Sequence, residues 1–139
     1  MTTDIDQLLD RYRDWHRANT SSRGCDNASV VTVPMVDRHN DMMQVVVRHS
    51  GDLLEISDDG AVIGDLMLCG FSLETPARQA VLCAILAGQN VQRDGERLVA
   101  TSTEADFPLR LHQLLQAMQS VDALALTGDP EAPDTTASR

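Results

Sequence analysis

The chain has 139 residues, 42% of them apolar, which fits one domain with a single buried core. Its formal net charge of -10 opposes binding to phosphate backbones, because such binding draws its free energy from basic side chains displacing counterions. Only Tyr12, Trp15, Phe71 and Phe107 are aromatic, too few to stack a run of nucleobases, and all eleven basic residues are arginine, so the acidity favours a cationic partner or records a salt-adapted or GC-rich source.

Residues 4–18, DIDQLLDRYRDWHRA, set Ile5, Leu8, Leu9, Tyr12 and Trp15 at spacings of three and four, the apolar stripe of a helix. Thr3 is placed to cap it, with Asp4 and Asp6 in the first turn, where the helix dipole favours negative charge. NTSSRGCDNAS is rich in turn formers and predicts an exposed loop. From Ser29 the period changes to two, and SVVTVPMV, MMQVVVRH and DLLEIS read as three strands. Pro34, which has no N–H, marks an edge strand or a bulge. Asp59-Gly60 then reads as a hairpin turn into a fourth strand, AVIGDLML. Thr75 as cap, Pro76 at the first helical position and Gly88 as stop define a central helix over 75–88. VQRDGERLVATST forms a second hairpin around Asp94-Gly95, and a last helix over 107–125 carries Leu111, Leu114, Leu115, Met118, Val121 and Leu124. The expected architecture is α+β, an antiparallel sheet of five or six strands covered by helices, in one domain over 1–126 with a disordered acidic tail over 127–139.

Cys25, Cys69 and Cys83 are odd in number and lack C-x-x-C spacing, against a disulfide framework or a zinc knuckle. All three are expected as buried thiols in a reducing cytoplasm, Cys69 and Cys83 held protonated within apolar stretches. MTTDIDQLL has no basic start or apolar core of signal-peptide length, and no apolar run approaches the roughly 18 residues of a membrane span, so a soluble cytoplasmic protein is expected.

The densest chemistry lies in residues 35–66, where Asp37, Asp41, Glu55, Asp58, Asp59 and Asp65 crowd the turns and strand ends. Such carboxylates suit a hard divalent cation, and a hydrolase or nuclease would use the metal to activate water. A restriction-like nuclease would follow its first acid with Glu-x-Lys. The corresponding place here is Glu55-Ile56-Ser57, in a chain without lysine. The favoured reading is turn chemistry, with Asp58-Asp59-Gly60 and His39-Asn40-Asp41 shaping bends through side chains that accept backbone N–H bonds. His39 is then a hydrogen-bonded structural residue rather than a ligand or general base, and His16, His49 and His112 are surface residues. There is no Gly-rich phosphate loop, G-x-S-x-G elbow or H-E-x-x-H helix. No catalytic residue, metal or cofactor is expected, and Asp37, His39, Asn40, Asp41, Asp58, Asp59 and Asp65 are candidate binding residues on an acidic surface.

VPMVDRHNDMMQVVV followed by LEISDDGAVIGDLMLCG resembles the prokaryotic and phage-associated DUF1828 family, whose members look like D-x-H-N-D-x-(I/M)-Q and then (I/L)-(T/S)-D-D-G-x-x-(I)-x-D-L. The matching positions are Asp37, His39, Asn40, Asp41, Gln44, Ser57, Asp58, Asp59, Gly60, Asp65 and Leu66. FPLRLHQLLQAMQSVDAL is also similar, and the resemblance covers most of residues 28–125. It brings no established activity. The order of elements is also similar to that of type III secretion chaperones, homodimers that wrap extended client segments, which is a likeness of fold alone. The expected function is a non-enzymatic protein-binding module of prokaryotic or phage origin, an inhibitor or accessory factor in host–phage conflict with a DNA-mimic-like acidic surface. Its partner is a protein, cationic by charge complementarity, with no direct nucleic-acid contact, no membrane, and room for a homodimer. The alternatives are a divalent-metal-dependent hydrolase or nuclease using the acidic cluster, and a dimeric chaperone-like protein.

Overall fold

The computed structural model describes residues 4–128; the predicted cap Thr3 and all but the first two residues of the predicted tail lie outside them. In chain order the elements are α1 (Ile5–Ala18), β1 (Ser21–Cys25), β2 (Ala28–Val36), β3 (Met42–Ser50), β4 (Leu53–Ser57), α2 (Ala61–Leu68), α3 (Pro76–Gly88), β5 (Gln92–Asp94), β6 (Arg97–Ser102) and α4 (Phe107–Asp122), closed by a 3-10 turn over Ala123–Thr127. The fold is α+β. Six antiparallel strands form one sheet in the order β1-β2-β3-β4-β6-β5.

Period-two alternation places Met43 and Val45 of β3, Leu54 and Ile56 of β4, and Leu98 and Ala100 of β6 on the covered face. α4 lies on β4 and β6, flanked by α2 and α3. It brings Leu114, Leu115, Met118 and Val121 to the core, beside Ile63 and Leu66 of α2 and Leu82 and Leu86 of α3. Thr75 caps α3, its hydroxyl accepting from Arg78 N, and Pro76 opens that helix. Arg78 is buried, its guanidinium 3.8 Å from the centre of the Phe71 ring and donating to the carbonyls of Ser72 and Gly128. The ring face and the two carbonyl oxygens compensate for taking that charge out of water. Pro34 sits at a bulge, the β2–β3 register slipping between Thr32 and Val36 where an N–H is missing.

Several expectations are corrected. AVIGDLML is not a strand but helix α2. Its apolar residues fit either period, and the deciding feature is Asp58, whose Oδ2 accepts the Val62 N–H and whose Oδ1 accepts that of Gly60. Asp59-Gly60 therefore starts a helix rather than turning a hairpin, with both residues at positive φ. The predicted loop at 19–29 contains strand β1, joined to β2 across Asp26-Asn27 with Asp26 at φ +54°. All five β1 residues are exposed, so the strand is held by its backbone ladder and carries no apolar alternation. α1 is capped by Asp4, whose Oδ1 accepts the Asp6 N–H at 2.9 Å.

Cys25, Cys69 and Cys83 are all exposed, against the expectation of buried thiols. Cys69 is the residue that ends α2, and on α3 the inward line is Arg78, Leu82 and Leu86, which turns Cys83 outward. α1 differs most from an ordinary surface helix. None of its residues is buried, and its stripe of Ile5, Leu8, Leu9, Tyr12 and Trp15 is 42–63% exposed.

Candidate functional site

β4 ends at Ser57 opposite Val46, so the first half of β3 has no strand on that side. α2 and the end of α4 close the space, leaving a pocket of about 290 Å³ lined by Asp37, Asp58, Asp65 and Asp122 together with Arg23 and Met43. The structure brings some of the predicted residues to this pocket, but in different roles.

Asp37 organises the β2–β3 loop. Its Oδ1 accepts the N–H groups of His39 (2.9 Å) and Asp41 (3.0 Å), and its own N–H donates to the Asp41 carbonyl. Asn40 takes the left-handed conformation, φ +67°, that this tight bend requires. Arg38, inside the same loop, is clamped between two helices: Nη2 is 2.8 Å from Asp65 Oδ2 of α2, Nη1 pairs with Asp122 Oδ1 of α4, and its backbone N–H donates to Asp122 Oδ2. Burial opposes the Arg38 charge, but the two carboxylates outweigh it and hold the guanidinium above its usual pKa. His39 Nε2 lies 2.9 Å from Asp65 Oδ2. Partial burial would raise the Asp65 carboxyl, but the His39 hydrogen bond and the charge of Arg38 prevail and keep it below the usual carboxylate range.

Asp58 and Asp59, adjacent in sequence, diverge. Asp58 is 4% exposed and accepts three backbone N–H groups, those of Gly60, Val62 and Leu98. Asp59 faces outward into an ion network on the uncovered face of the sheet. Arg48 grips it with two hydrogen bonds of 2.9 Å, and Arg97 bonds Glu55 at 2.6 Å while lying 3.7 Å from Asp59. The Arg48 hydrogen bond, against some burial, holds the Asp59 carboxyl below its usual range. A carboxyl with a depressed folded-state pKa contributes stability that is complete above its unfolded value, near 4, and is lost as pH falls through the folded one. Stability is therefore expected to drop as pH falls below about 4, and Asp59→Asn should flatten that drop. Urea midpoints of the two proteins at pH 6, 4 and 3 check this, and parallel slopes would show that Asp59 carries none of it.

The predicted acidic surface is thus four arrangements. Asp37, Asn40 and Asp41 shape a loop, Asp58 is an internal cap, and Asp59 and Asp65 sit in separate ion networks. Arg38, Arg48, Arg97 and Asp122, which complete those networks, were not among the predicted site residues. The Arg48–Glu55 register could have been found, since a turn at Ser50–Asp52 sets those two residues opposite one another. Cys69 was missed too. It stands four residues after Asp65, its Sγ 4.0 Å from Asp65 Oδ1, and the spacing means proximity only once residues 61–68 are helical.

The family model described as "Domain of unknown function DUF1828" matches residues 33–121, well over half the chain. The chain belongs to the DUF1828 family. No curated protein and no solved structure gives a significant match. The DUF1828 region runs from Val33 in β2 to Val121 in α4 and contains every predicted site residue, with Arg38, Arg48, Cys69 and Arg97. It leaves out α1, β1 and Asp122, the anchor of Arg38. No helix among the described residues is long and apolar enough to cross a membrane.

Proposed function

We propose that the chain is a non-enzymatic protein-binding module of prokaryotic or phage origin that docks through α1, with a second copy of itself on that helix. The observation that carries the reading is the uncovered stripe. Leaving Ile5, Leu8, Tyr12 and Trp15 in water forgoes the free energy of burying them, and a stripe of this kind on a helix with no buried residue marks an interaction surface.

The charges favour a second copy as occupant. Asp4, Asp6 and Asp10 lie at the cap and toward the start of α1, and Arg11, Arg13 and Arg17 run from its middle to its end against the single acid Asp14. Two such helices laid antiparallel set the acidic start of each beside the basic end of the other. Ile5, Leu8, Tyr12 and Trp15 follow the three-four-three spacing of a two-helix seam, and reversal places Ile5 against Trp15 and Leu8 against Tyr12. The remaining surface, on a chain of net charge -10, then meets a cationic protein, the role of an inhibitor or accessory factor in host–phage conflict.

Trp15 is the only tryptophan and reports on the seam directly. Sedimentation velocity over a concentration series should show a monomer–dimer equilibrium, with Trp15 emission moving to shorter wavelength as dimer forms. Leu8→Asp should be monomeric with Trp15 emission fixed at the long-wavelength limit. A wild-type chain that stays monomeric at high concentration, with Trp15 emission unchanged, would overturn the docking role of α1.

A further inference from the structure

We propose that His39, Asp65 and Cys69 form a zinc-binding site, a reading independent of the role of α1. One ligand atom from each residue, an imidazole nitrogen, a carboxylate oxygen and a thiol sulfur, lies within 4.8 Å of the others. Two of the separations are 2.9 Å, His39 Nε2 to Asp65 Oδ2, and 4.0 Å, Cys69 Sγ to Asp65 Oδ1. Ligand atoms around a tetrahedral zinc are roughly 3.3–3.7 Å apart, as bonds of 2.0–2.3 Å dictate, so three atoms already within 4.8 Å of one another need draw in by only about an ångström to hold the ion.

Asp65 and Cys69, at i and i+4, share one face of α2, and the β2–β3 loop delivers His39 to it, the Asp37 carboxylate fixing that loop's backbone. Arg38 supplies the outer support. Its bond to Asp65 Oδ2 leaves Oδ1, 4.0 Å from Cys69 Sγ, to face the ion, while Asp122 anchors the guanidinium from the other side. On binding, the Cys69 thiol releases its proton to solvent and coordinates as thiolate, and the His39 ring exchanges the Nε2 proton that meets Asp65 Oδ2 for one on Nδ1, freeing the Nε2 lone pair for the ion. Zinc's two charges are then matched by Asp65 and the Cys69 thiolate, and Arg38 stays matched by Asp122. The side chains of His39 and Asp65 are 44% and 34% exposed and Cys69 is exposed, so the ion has a path in and water takes the fourth position. A thiolate and an imidazole select zinc or cobalt over magnesium, calcium and manganese, which prefer oxygen donors.

The test uses the full chain, reduced and freed of metal, titrated with cobalt(II) as the probe. To keep the other exposed thiols from contributing, the background is Cys25→Ser with Cys83→Ser. One equivalent of cobalt should produce a sulfur-to-cobalt charge-transfer band and the visible bands of a tetrahedral ion. Zinc should bleach both, and a large excess of magnesium or calcium should leave them in place. Adding Cys69→Ser should remove the charge-transfer band, and His39→Ala should weaken cobalt affinity more than tenfold with the sulfur band still present at saturation. Zinc should raise the melting temperature of the background protein and leave that of the Cys69→Ser variant unchanged. No charge-transfer band in the background protein, or a band that survives Cys69→Ser, would overturn the site.

Discussion

Asp58→Ala is expected to destabilise the fold by about 3–5 kcal/mol, since each buried donor left without a partner costs about 1–3 kcal/mol. The carboxylate receives three backbone N–H groups from two elements. Gly60 and Val62 begin α2, and Leu98 lies on β6, forty residues away. Alanine would leave all three donors facing a space too enclosed for easy hydration, Asp58 being 4% exposed. Asp58→Asn separates hydrogen bonding from charge. One amide oxygen can still serve Gly60 and Leu98 while the amide nitrogen opposes the Val62 N–H, so about half the loss is expected. Urea denaturation of the three proteins measures this. A loss under about 1 kcal/mol for the alanine variant would mean that water replaces the carboxylate at no great cost.

Leu114→Ala should cost about 3–5 kcal/mol, the upper part of the range for a deleted core leucine. Leu114 has no exposed surface, and α4 is bounded by β4 and β6 beneath and by α2 and α3 at its sides. A cavity enclosed by regular elements on every side has little loose structure to collapse into it, which is what moves the cost upward. Leu109 on the same helix is 57% exposed, and Leu109→Ala should stay within about 0.5 kcal/mol. The pair fixes which face of α4 carries the core, and equal losses at the two positions would contradict this packing.

The elements read correctly from sequence are those whose local signals agree with their tertiary use. The central helix has Thr75, Pro76 and Gly88 at its ends, and β3 and β4 alternate because one face is covered and the other is not. α2 was misread because Ala61 to Leu68 is short, apolar and free of periodic contrast, so its conformation is decided outside itself by the Asp58 carboxylate. β1 was missed for the opposite reason, having no side chain that needs cover. In the candidate site, the bends at His39–Asp41 and Asp58–Gly60 were legible because Asn and Asp turn chemistry is local, although the accepting side chain of the first is Asp37 rather than one within the bend. The partition of the carboxylates was not. Asp58 points inward and Asp59 outward because β6 runs past the first and Arg48 stands beside the second, and both neighbours are supplied by the sheet.

The exposed α1 has a consequence for how such a domain can change over time. Neither α1 nor β1 sends a side chain into the core, and the family match begins only at Val33. Substitutions along α1 are therefore expected to leave the folding of the rest of the chain almost unchanged. An arm so placed can drift, reverse its charge pattern or exchange its apolar residues while the sheet and its three covering helices stay intact. That separation lets the surface of α1 change without first finding a new way to fold.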